Sequence, residues 1–150
     1  MRIDRAAPDD VSSLAELLWL HHGQYTPDQD SVERFATDLA PWWQAHHHSH
    51  VAFVARLENP QIVGMAWVAL VPRIPRPGTM VRLSADLQSV FVLPAYRGRG
   101  IGSALVEAAS EHAIRLGALR VTVHSGRKAV PLYERLGFVS GRQLLQRPPD

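Results

Sequence analysis

The chain has no cysteine, and of its sixteen Lys and Arg residues only Lys128 is a lysine. Without cysteine there are no disulfides, no thiolate metal sites and no cysteine nucleophile. A single lysine and a formal net charge of only +2 give no reason to expect a nucleic-acid partner. No apolar run reaches the roughly 18 residues that a membrane-crossing helix needs, so no membrane partner is expected. The opening residues Met1-Arg2-Ile3-Asp4-Arg5 lack the apolar region of a signal peptide, and the expected compartment is the cytoplasm. The arginine bias, together with abundant alanine, points to a GC-rich bacterial genome.

What is present is ordinary for a globular protein: 46% hydrophobic and 20% charged residues. At 150 residues the chain reads as one domain, 1–150, able to bury about two-thirds of its surface. No internal repeat or long linker divides it.

Periodicity predicts a short first strand over residues 1–5. A helix follows, with Val11, Leu14, Leu18 and His21 at helical spacing and Gly23 as its stop. Thr26-Pro27 reads as the cap of a second helix, which Pro41 should interrupt. Trp42 to His48 then forms a second short helical piece. Strands are expected over 50–58, 62–71 and 84–92, with a proline-rich loop over 72–79 between the last two. A helix over 100–116, a strand over 120–124, a helix over 129–136 and a final strand over 138–146 complete the order.

The most informative run is Leu93 to Ser103, L-P-A-Y-R-G-R-G-I-G-S. Gly98, Gly100 and Gly102 sit where a strand becomes a helix. Their uncrowded N–H groups, the positive end of a helix dipole, and Arg97 and Arg99 converge there, which makes a pyrophosphate cradle. The spacing does not fit a dinucleotide fingerprint, whose third glycine comes later. Nor does it fit a mononucleotide P-loop, which needs a lysine that is missing. The pattern that remains is [RQ]-x-x-G-x-G, met by Arg97, Gly100 and Gly102.

This run resembles the GNAT superfamily of acetyl-CoA-dependent N-acetyltransferases. A second stretch, A-V-P-L-Y-E-R-L-G-F from Ala129 to Phe138, resembles the family's last motif. The order β-α-α-β-β-β-α-β-α-β agrees over essentially the whole chain. The resemblance implies an α/β (α+β) fold with a mixed sheet of six to seven strands, splayed after strand four. It implies acetyl-CoA as co-substrate. Backbone of Val90, Phe91 and Val92 would pair with the pantetheine arm like an added strand. Arg97, Gly98, Arg99, Gly100, Ile101, Gly102 and Ser103 would grip the pyrophosphate. Relatives often carry asparagine seven residues before the motif tyrosine, and this chain has Gly126 there, beside Ser125. Relatives are often homodimers, although no feature of this sequence fixes that.

Tyr133 matches the tyrosine that in many relatives protonates the departing thiolate. A phenol of pKa about 10 suits that task, and packing under the cofactor is its plainer role. The base has two candidates. Asp86 lies on strand four and by period two would share a face with Gln88, Val90 and Val92. His124 ends strand five. Ordered water is a third option, as in some relatives. The acceptor side is expected to draw on His21, His22, Tyr25, Asp28, Asp30 and the loop from Arg73 to Met80. Its aromatic and acidic groups suit a cationic amine. Trp19, Trp42 and Trp43 read mainly as core.

The run His46-His47-His48-Ser49-His50 has no acidic or cysteine partner at ligand spacing, so no metal is expected. Two function classes stay open. One is an N-acetyltransferase acting on a small-molecule or peptide amine by direct attack. The other is a non-catalytic acyl-CoA sensor or partner-binding module with the same cradle.

Overall fold

The computed structural model describes residues 1–23 and 28–149. Its strands form one sheet in the order β1-β2-β3-β4-β5. They are β1 (Arg2–Arg5), β2 (His50–Arg56), β3 (Ile62–Pro72), β4 (Leu83–Val92) and β5 (Ala118–Val123). The first four are antiparallel neighbours, and β5 joins β4 in parallel. The helices are α1 (Val11–His22), α2 (Gln29–Ala45), α3 (Ile101–Arg115) and α4 (Val130–Arg135).

The central strand β3 is apolar almost throughout, as a strand covered on both faces must be. Two cores result. On one face Val63, Ala66, Val68 and Leu70 of β3 pack with Leu105, Val106 and Ala109 of α3. On the other, Met65 and Trp67 meet Leu14 and Leu17 of α1 and Leu39 and Trp43 of α2. The Trp43 and Trp67 rings meet edge to face at 5.3 Å.

Two expectations are corrected, and a third falls outside the described residues. The sheet has five strands among the described residues, not six to seven, because the strand expected over 138–146 is absent. Its apolar residues are split by Ser140-Gly141-Arg142-Gln143, so they offer no continuous face. Val139 and Leu145 are 89% and 87% exposed. Pro41 does not interrupt the second helix, since α2 runs unbroken through it to Ala45. Burial of Leu39 and Trp43 on either side outweighs the one hydrogen bond that proline removes. The Thr26-Pro27 cap lies outside the described residues. The observed N-cap is Asp28, whose carboxylate accepts the Ser31 N–H at 2.7 Å.

The splay is present. Pairing between β4 and β5 ends at Leu87–Val123, while β4 continues to Val92. Among the described residues the stretch 88–92 therefore has a strand neighbour on the β3 side and none on the other. Among the described residues no helix is long and apolar enough to cross a membrane.

Candidate active site at the splayed end of the sheet

The open stretch of β4 is shaped by a bulge. Ser89 pairs with Trp67 and Leu87 with Val68, which leaves Gln88 as the extra residue. A bulge shifts the alternation by one. Ala85 and Leu87 pack on the α3 side, and so do Val90 and Val92. Asp86 therefore does not share a face with Val90 and Val92, contrary to the period-two expectation. It lies on the opposite side, where Thr122 Oγ1 donates to its Oδ1 at 3.0 Å.

The same alternation assigns the backbone. Leu93 N–H bonds Val63 O, so the main-chain groups of Leu93 and Phe91 point to β3. Those of Val90 and Val92 point to the open edge. This corrects the expectation for Phe91, whose backbone is taken by β3, so that only Val90 and Val92 of the three turn amides to that edge. Arg97 closes the end of this edge by donating from Nε to Val92 O at 2.8 Å.

Beyond Val92 the chain makes a short helical turn, Pro94–Tyr96, and enters the glycine run. Gly98 and Gly100 have φ of +77° and +80°, a conformation that side chains disfavour. A Cβ built on either would meet nothing within 4 Å, so the space above both is open. Gly100 is the N-cap of α3, and the first helical bond runs from Ala104 N–H to Gly100 O. The N–H groups of Ile101, Gly102 and Ser103 precede that bond and have no partner within the helix. Ile101 itself is buried and anchors the turn to the core. Arg99 lies over the Tyr96 ring at 5.4 Å, and Arg97 over the Phe91 ring at 5.2 Å. Open glycines, first-turn amides and two guanidinium groups fit the pyrophosphate of acetyl-CoA, and the β4 edge fits its amide-bearing arm.

Tyr133, on α4, is 7% exposed and its ring meets Phe138 edge to face at 5.4 Å. Burial pushes its phenol pKa up from the usual 10. It lines a cavity of about 620 Å³ between α3, β5 and α4, together with Val123, His124 and Ser125. His124 stands exposed just past β5, with Gln146 Nε2 at 3.2 Å from its Nδ1.

The sequence placed His21 and His22 near the acceptor, and the structure gives them a partner. His21 Nδ1 and His22 Nε2 lie 2.9 Å and 3.0 Å from Ser89 Oγ. His21 also stacks on Phe91, with ring centroids 5.3 Å apart. Its pKa is lowered by burial and then by the charges of His22 and Arg97. Ser89 went unnoticed in the sequence. The clue was the three-residue step from Leu87 to Val90 in an otherwise alternating apolar pattern, which is the mark of a bulge.

The other residues expected on the acceptor side are scattered. Asp28 is spent as a cap, and Tyr25 lies outside the described residues. Arg76 and Thr79 close a small turn in the β3–β4 loop. Trp42 is 43% exposed and stacks on His46, well away in sequence from β4.

Residues 13–138 match the family model described as the acetyltransferase (GNAT) family. A glucosamine 6-phosphate N-acetyltransferase from Trypanosoma brucei brucei is 37% identical over 78 residues, 52% of this chain and 51% of that protein. A crystal structure of a Trypanosoma brucei acetyltransferase superposes with a TM-score of 0.75 at 26% identity, covering 99% of each chain. A predicted acetyltransferase from Clostridium acetobutylicum, solved with acetyl-CoA, has the same fold. Its TM-score is 0.74 at 18% identity, over 98% of this chain and 95% of that one. The chain spans about half or less of the length of the curated relatives it matches. The chain belongs to the GNAT acetyltransferase family.

Proposed function

We propose that this protein transfers an acetyl group from acetyl-CoA to a primary amine of a small molecule or peptide, by direct attack without an acyl-enzyme. One observation carries the reading. Among the described residues the edge of β4 has no strand partner from Gln88 to Val92, and it leads into a glycine turn that is open above Gly98 and Gly100. A strand-like groove and an open glycine turn then run end to end, which supports the reading.

Bound acetyl-CoA supplies a thioester, the electrophile. Residues 97–103 hold its pyrophosphate through N–H groups and guanidinium charge. Val90 and Val92 offer edge amides to its arm, and a β4 N–H stabilises negative charge developing on the acetyl oxygen. Tyr133 keeps its proton at neutral pH and donates a hydrogen bond to the departing thiolate. Ser125 or nearby backbone replaces the asparagine that Gly126 lacks. The amine approaches from the α1 side of β4, where the His21 and Phe91 rings lie. The name of the trypanosomal relative suggests a phosphorylated amino sugar as the first acceptor to try.

Calorimetric titration with acetyl-CoA tests the reading. Micromolar binding that disappears in the Arg97→Ala, Gly100→Asp double variant supports it. No binding by the unaltered protein overturns it.

A further inference from the structure

Three side chains from two distant stretches meet at one oxygen on the α1 face of β4. His21 and His22 close α1, and both reach Ser89 Oγ, with their rings 4.0 Å apart. Ser89 is 7% exposed and follows the bulge, on the stretch of β4 that has no β5 partner.

A serine hydroxyl carries one proton, so Ser89 donates to one imidazole and accepts from the other. Each neutral imidazole has one N–H. The ring that donates to Ser89 therefore keeps a lone pair on its outer nitrogen, which is Nε2 for His21 and Nδ1 for His22. The ring that accepts from Ser89 shows an N–H there instead. Reversing both hydrogen bonds moves the outward lone pair from one histidine to the other.

We infer that His21, Ser89 and His22 together form the proton acceptor of acetyl transfer. The inference rests on the acetyltransferase reading above. As the C–N bond forms and the C–S bond breaks, the amine nitrogen loses one proton to the outward lone pair of His21. The thiolate is neutralised by the Tyr133 proton, so one proton leaves the acceptor and one reaches CoA. The charge gained by His21 passes through Ser89 to His22 by shifting each hydrogen-bonded proton one place. Exchange with solvent then resets both ends.

The surroundings suit the role. Burial, and then the charges of His22 and Arg97, push the His21 pKa down and so favour its neutral form. The carbonyl end of α1 stabilises the cation once formed. Arg97, over the Phe91 ring on which His21 stacks, opposes a second proton on the pair. Asp86 is the carboxylate on this face of β4, and it is engaged by Thr122.

The test follows thiol release from acetyl-CoA with glucosamine 6-phosphate as probe amine, between about pH 5 and 8. The double variant His21→Gln, His22→Gln is expected to lose about 10²- to 10⁴-fold in kcat/KM, together with the acidic limb of the profile. Its acetyl-CoA affinity should be unchanged. Ser89→Ala should shift the limb, and Asp86→Asn should keep it. A limb that survives the double histidine change, or disappears with Asp86→Asn, overturns the inference and leaves the acetyltransferase reading standing. Failure of the unaltered protein to bind acetyl-CoA defeats that reading instead. If the probe is bound but not turned over, NMR titration of labelled histidines decides. One proton shared by His21 and His22, uncoupled by Ser89→Ala, supports the relay, and two independent titrations in the unaltered protein overturn it.

Discussion

Arg97 donates its Nε–H to the carbonyl oxygen of Val92 at 2.8 Å. That carbonyl points to the open edge of β4, where no strand would pair it. One side chain therefore ends the edge, covers the Phe91 ring and brings charge to the glycine turn. The glycine turn and the histidine cluster are joined through it.

Arg97→Ala should weaken acetyl-CoA binding about tenfold to a hundredfold, the worth of a hydrogen bond to a charged group. Arg97→Lys should not restore it, because a point charge cannot bond Val92 and the ligand from one planar fork. Gly100→Asp should be more severe. It strains a backbone at φ +80° and places a carboxylate in the open space above the turn. Calorimetry on the three variants orders these effects.

Tyr133→Phe keeps the ring against Phe138 and removes only the hydroxyl. Acetyl-CoA affinity should hold, while turnover falls about 10²- to 10⁴-fold, as for loss of a general acid. Full turnover in this variant would assign Tyr133 to packing. Its raised pKa also carries a stability prediction. The folded phenol resists ionisation, so its contribution is complete below about pH 10 and is lost as pH rises beyond that. Thermal melts in the alkaline range should show the loss in the unaltered protein and not in Tyr133→Phe.

Arg56 grips Asp10 with two nitrogens, at 3.2 Å and 3.0 Å, and Asp4 with Nε at 3.2 Å. Burial acts to raise the pKa of both carboxyls, but the hydrogen bonds and charge outweigh it and hold them below the usual range. Their stabilisation is therefore present above about pH 4 and lost as pH falls through the lowered values. Arg56→Ala should cost about 1–3 kcal/mol at neutral pH and flatten the acid side of the stability curve. Denaturant unfolding at neutral and acid pH measures both.

The glycine turn was legible because it is local. Three alternate glycines between a strand and a helix demand one backbone path, and Arg97 lies within reach by sequence alone. The face of Asp86 was misread because the Gln88 bulge belongs to the pairing of β3 with β4 and not to β4 itself. Ser89 lies 68 residues from His21, so only the packed sheet brings them together. The last strand was expected from the composition of 138–146, but strand formation needs a partner edge as well as apolar residues. Pro41 broke a local rule that the burial of Trp43 overrode.

Gly64 offers a test of how closely β4 must be held. It pairs with Val92 across the sheet. A Cβ there would come within 3.0 Å of Leu105 Cδ1 and 3.3 Å of both Phe91 O and Val92 Cγ2. Leu105 Cδ1 is a side-chain tip, but Phe91 O is backbone already engaged with β3, so the strand itself must give. Gly64→Ala should destabilise the fold by about 1–3 kcal/mol, as overpacking does. Displacement of β4 at Phe91 and Val92 should also move the edge amides and the Arg97 contact together. Acetyl-CoA affinity should then fall although no ligand-facing group has changed. Leu105→Ala relieves one of the crowded contacts while opening a cavity. On its own it should cost about 2–5 kcal/mol. In combination with Gly64→Ala the loss should be smaller than the sum, since each change accommodates the other. A strictly additive double variant would mean that the pressure falls on β4 alone. In that case the affinity loss should persist in the double variant.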